Sequence, residues 1–82
     1  MPEPKPTFMP ARLSPLEETA LKNAVAFSAI VFRGRGQYDK TIVETHEAAR
    51  AVARELFEGD RSVMIYAIDP HGTTAMIETY GR

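Results

Sequence analysis

Apolar and polar positions along this chain change period several times, and the changes predict a hairpin, a helix and a second hairpin. From Ala24 to Arg33 the run Ala-Val-Ala-Phe-Ser-Ala-Ile-Val-Phe-Arg is rich in β-branched and aromatic residues, with both alternating sets apolar, as in a strand. Gly34 and Gly36 permit positive φ for a reversal around Arg35, and Lys40 to Glu44 resumes as a second strand. From Thr45 to Gly59 the period lengthens to that of a helix. Thr45 is a good N-cap, Ala49, Val52, Ala53 and Leu56 share one side with Phe57 at its flank, and Glu47, Arg50, Arg54 and Glu58 share the opposite side. An inner face lined by alanine lets the helix lie close on a sheet. Gly59 is placed to end it in the left-handed conformation. Ser62 to Ile68 predicts a third strand, Asp69-Pro70-His71-Gly72 has the residues of a type I turn, and Thr74 to Thr79 predicts a fourth strand.

The N-terminal stretch reads differently. Residues 1 to 13 contain Pro2, Pro4, Pro6 and Pro10, which remove backbone donors and push their neighbours into extended conformations, so a disordered tail is expected. Ser14-Pro15-Leu16-Glu17 then combines a capping hydroxyl, proline at the first helical position and glutamate three residues after the cap. It predicts a short helix from Pro15 to about Asn23, with Leu13, Leu16, Ala20 and Ala24 on one side. The expected fold is α+β: residues 14–82 form a single domain in which a four-stranded, mainly antiparallel sheet packs on one central helix in β-β-α-β-β order.

Length and charge narrow the classes of function. The 82 residues allow one domain, and a folded part of about 60 residues buries only roughly 60% of the surface its unfolded chain exposes. Ten Lys and Arg against 11 Asp and Glu leave no long-range field for phosphate backbones or anionic lipid. With no cysteine the chain has no disulfide or thiolate zinc site, which is compatible with a reducing cytoplasm, the expected location. No apolar run reaches the ~18 residues of a membrane span, so no membrane partner is expected.

Candidate chemistry is sparse. Ser14, Ser28 and Ser62 have no partners spaced as in a nucleophile elbow, and Gly34-x-Gly36 lacks the third glycine and the following helix of a dinucleotide loop. No catalytic residue and no cofactor is therefore assigned. The topology puts His46 and His71 at one end of the sheet, near Glu44 and Asp69, which makes them weak candidates for a metal site or a pH switch; their spacing matches no established ligand pattern. At the other end Arg33, Arg35 and Lys40, with Tyr38, offer contacts to phosphate and a stacking ring. That is the nucleic-acid alternative. Against it, the negative end of the helix together with Glu55, Glu58 and Asp60 supplies the arginines with local partners.

One feature points outward. Phe27, Ala29 and Val31 oppose Ala26, Ile30 and Phe32, and the third and fourth strands repeat the doubled apolar pattern. One helix covers one face, and an antiparallel sheet normally turns a polar second face to water. The second face is therefore expected to be covered by the short N-terminal helix, a second copy of the chain or a ligand. The candidate contact residues are Phe27, Ile30, Phe32, Met64, Tyr66 and Met76. The function this pattern implies is a small non-enzymatic interaction or assembly domain whose partner is another protein or, as a homodimer, the chain itself.

The combination Phe-Arg-Gly-Arg-Gly-Gln-Tyr-Asp-Lys (32 to 40), Glu-Ala-Ala-Arg (47 to 50) and Tyr-Ala-Ile-Asp-Pro-His-Gly-Thr-Thr-Ala (66 to 75) resembles small uncharacterised bacterial proteins with no assigned activity. The resemblance covers about residues 27 to 79. It implies the same fold and a bacterial cytoplasm, and it implies no site.

Overall fold

The computed structural model describes residues 5–59 and 61–82. Seven elements follow one another: β1 (Thr7–Pro10), α1 (Pro15–Lys22), β2 (Ala26–Gly34), β3 (Gln37–Val43), α2 (His46–Leu56), β4 (Val63–Ile68) and β5 (Thr74–Gly81). The strands make one antiparallel sheet in the order β1-β5-β4-β2-β3. The chain is α+β as expected, with five strands where four were expected. The additional strand lies in the stretch read as a disordered tail, of which residues 1–4 are outside the described residues. Phe8 pairs with Tyr80 and Met9 with Thr79, and the two rings of Phe8 and Tyr80 meet at 4.5 Å. Pro10 is tolerated because β1 is an edge strand, where a missing donor costs the ladder little.

Each turn and cap has a local cause. Ser14 Oγ accepts from Glu17 N at 3.3 Å while Glu17 Oε1 accepts from Ser14 N at 3.1 Å, which starts α1 as its sequence implies. Thr45 Oγ1 accepts from Ala48 N at 3.1 Å and starts α2. The end of α2 departs from expectation. The helix stops at Leu56 because Phe57 turns to extended backbone and sets its ring edge-on to Tyr80, 5.5 Å away. Gly59, at φ +64°, serves the turn bridged by Glu58 and Arg61 instead. In the first hairpin Arg35 and Gly36 both have positive φ, +55° and +77°, the conformation whose twist suits a two-residue connection.

The core lies on one face of the sheet. Ala29, Val31, Val63, Ile65, Ala67 and Ile77 form it with Ala49 and Ala53 of α2, and all are buried. The methyl side chains of Ala49 and Ala53 allow the close approach expected from the sequence. Leu13, Leu21 and Ala24 pack against the same cluster, so α1 and its flanks serve the same face as α2. This corrects the idea that the short helix covers the second face. It also changes the inward set of α1, since Ala20 and Leu21 point in whereas Leu16 is exposed. In β5 the register shifts so that Ile77 is an extra residue between the pairs Ile65–Glu78 and Tyr66–Met76. Ile77 and Glu78 are consequently both buried on the helix side.

Candidate interaction surface

The strand pairings lay out the face opposite the helices in rows. Met9, Thr79, Met64, Ile30 and Lys40 form one row across all five strands. The next contains Met76, Tyr66, Ser28 and Ile42, and the one beyond it Thr74, Ile68 and Ala26. Phe32 and Tyr38 stand opposite each other at the other end, with ring centroids 6.0 Å apart. No helix lies over these rows. Met9 and Ile42 are each 61% exposed, Tyr38 56% and Phe32 53%, while Ile30, Met64, Tyr66, Ile68 and Met76 are half-buried. Lys40 brings the one formal charge to these rows.

Five of the six expected contact residues, Ile30, Phe32, Met64, Tyr66 and Met76, occupy this open face. Phe27 does not. It sits on the helix side against the core, its ring stacked on His46 at 5.4 Å, because strand parity separates it from Ile30 and Phe32. Met9, Tyr38 and Ile42 complete the face and were not among the expected contacts. For Tyr38 and Ile42 the signal is the two-residue spacing Tyr38-x-Lys40-x-Ile42; Met9 belongs to the strand hidden among prolines.

The helix side carries a cluster of ionisable groups that periodicity did not indicate. Glu78 is 5% exposed and lies under α2. Arg50 Nε donates to its Oε1 at 2.7 Å and Arg50 Nη2 to its Oε2 at 2.9 Å, while His46 Nε2 shares Oε1 at 2.6 Å. Burial alone would push this carboxyl up, but the hydrogen bonds from Arg50 and His46 and their charges outweigh it and hold Glu78 below the ordinary glutamate value. Arg50, expected on the solvent side of the helix, therefore turns back to the sheet. Its guanidinium also lies over the Phe8 ring at 4.9 Å, and that of Arg54 does so at 5.1 Å. The cluster is closed on itself, and among the described residues no pocket opens beside it.

The remaining candidates are placed as follows. His46 is drawn to Glu78 and Phe27, whereas His71 is exposed at the tip of the β4–β5 turn, its backbone N–H donating to Asp69 Oδ1 at 2.9 Å. Among the described residues no group of three or more His, Asp or Glu is arranged to hold a metal ion. Arg33 is held by Asp39 at 2.7 Å and by Glu58 at 3.2 Å. Arg35 is exposed at the hairpin tip, and Tyr38 and Lys40 belong to the open face.

No helix among the described residues is long and apolar enough to cross a membrane. Comparison with protein-family models, curated proteins and solved structures returns no match. The functional reading therefore rests on the geometry of the chain itself.

Proposed function

We propose that this chain is a small non-enzymatic interaction domain that docks a protein partner on its open sheet face, in the bacterial cytoplasm. The observation that carries the reading is that both helices serve one face, leaving the other with four large apolar side chains more than half exposed. Protein interfaces favour aromatic residues and methionine at their centres and avoid charge there. This face has that composition, with Phe32, Tyr38, Tyr66, Met9, Met64 and Met76 and one lysine. The alternative, nucleic-acid contact through Arg33, Arg35, Tyr38 and Lys40, is weakened because Arg33 already has two carboxylate partners and Tyr38 packs beside Phe32.

Met9, Met64 and Met76 make the face testable. Mild peroxide treatment of the dilute, folded chain followed by mass spectrometry should oxidise all three without unfolding it, because each lies on the open side. Protection of Met64 and Met76 equal to that of a buried residue would mean the face is already covered within one chain and would defeat the proposal. Tight binding to DNA or RNA that falls steeply with salt would replace it with the phosphate-contacting alternative.

A further inference from the structure

We infer that the partner on the open sheet face is a second copy of this chain, the two sheets packing face to face about a two-fold axis. This inference rests on the interaction-domain reading and names its occupant.

Area is the first argument. Five strands about 4.8 Å apart and rows spanning about six residues at roughly 3.3 Å each give a flat footprint of about 24 by 20 Å, on the order of 500 Å². Two such faces, with their side chains interleaved, remove on the order of 1,000 Å² from water, the lower limit of a specific interface. An apolar patch of this size is also near the upper end of what a monomer leaves exposed.

The second argument is what on this molecule matches the face. The outer surfaces of the helices carry Glu18, Lys22, Glu47, Arg54 and Glu55, all exposed. None of them complements a face whose rows hold a single charge. The surface on this chain that does is the face itself, and a contact between identical patches closes as a dimer instead of growing into a fibre. Addition at a sheet edge is opposed on both sides: β1 has four residues and ends in Pro10, and β3 carries the exposed Lys40 at its middle. The contact is therefore made through the face, as two sheets stacked about 10 Å apart.

Sedimentation velocity on the full chain, from low micromolar to near-millimolar concentration, tests this. The expected result is a doubling of mass from 9.1 kDa with rising concentration and no larger species. Phe32→Glu combined with Ile42→Glu, both at exposed positions, should keep the circular dichroism of the parent and abolish the doubling. Should that variant fail to fold, peroxide footprinting of the unsubstituted chain gives the same answer, since Met64 and Met76 must become protected as concentration rises. A chain that stays monomeric to near-millimolar concentration overturns the second copy as occupant, and accessible methionines in that monomer leave the interaction-domain reading standing. A dimer that survives both substitutions, or association beyond two, places the contact elsewhere and overturns the inference.

Discussion

Ile65 and Met64 are neighbours on β4 with opposite fates, and truncating each to alanine measures how differently the two sheet faces are used. Ile65 has no exposed surface and lies between Ala29 on β2 and Glu78 on β5, in the same cluster as Ala49 and Ala53. Ile65→Ala removes three carbons, which at ~0.8 kcal/mol per buried methylene costs about 2.4 kcal/mol in transfer free energy. The surrounding alanines are too short to fill the void, so a cavity of about 50 Å³ persists and adds roughly 1 kcal/mol. A total of about 3.5 kcal/mol is a large share of the roughly 4 to 12 kcal/mol that a chain of this length possesses. Met64 lies half-buried on the open face, where truncation leaves no enclosed void, and Met64→Ala should cost about 1 kcal/mol or less. Both variants keep a Cβ on the same strand, so backbone propensity largely cancels in the comparison. Urea denaturation followed by circular dichroism, at a low concentration where no self-association contributes, gives both values. An equal or greater loss for Met64→Ala would refute the assignment of the two faces.

Three further predictions concern single groups. Because the folded pKa of Glu78 is lowered, its contribution to stability is complete above its ordinary value of 4.5 and is lost as the pH falls through the lower folded value. Glu78→Gln should therefore flatten the decline of urea midpoint below about pH 4.5, and parallel curves for the two proteins would contradict the cluster. At the first hairpin, Gly36→Ala should destabilise by about 1 to 2 kcal/mol although no atom lies within 4 Å of the new methyl group, because the cost is the positive φ alone; Arg35→Asn should leave stability unchanged or raise the thermal midpoint. Asp69→Ala removes the acceptor of both His71 N and Thr73 N, at 2.9 and 2.8 Å, and should cost about 1 to 2 kcal/mol in denaturant midpoints. An unchanged midpoint would show that the turn is held by its backbone bonds alone.

The elements that were legible in the sequence are those whose cause is local. The Ser14 capping box, the Thr45 cap, the glycines around Arg35 and the Asp69 turn each specify backbone within four or five residues, and each forms as read. What escaped the sequence depends on distant residues. β1 follows Pro6 and ends in Pro10, which locally favour extended, unpaired chain; it is ordered because Phe8 finds Tyr80, Arg50 and Arg54, which lie more than 40 residues away. Glu78 looks like an ordinary strand carboxylate until the extra residue Ile77 changes its side of the sheet. The parity of each strand is readable, but which parity faces the helices is not, so the expected contact set draws on both parities of β2, and the structure keeps Ile30 and Phe32 on the open face while Phe27 packs against the core.

The two faces of the sheet solve the problem of coverage in different ways, and the difference bears on what the open face is for. Two helices with alanine-lined inner sides are too narrow to cover five strands. On the helix side α2 lies over β2, β3 and β4 and α1 over β4 and β5, and the edge strand β1 is covered instead by long side chains: Arg50, anchored by buried Glu78, and Arg54 lie across Phe8, while Arg82 lies over Phe57 at 5.7 Å. Arginine stems shield apolar surface and keep their charged ends toward water, which is how a sheet margin lives with solvent. The open face has no such cover. Its most exposed large side chains are Met9, Phe32, Tyr38 and Ile42, and its one long charged residue, Lys40, stands on an edge strand. An apolar margin guarded by arginines on one side of the sheet, beside exposed Met9, Phe32, Tyr38 and Ile42 with no such guard on the other, supports the proposal that the open face is a place of contact.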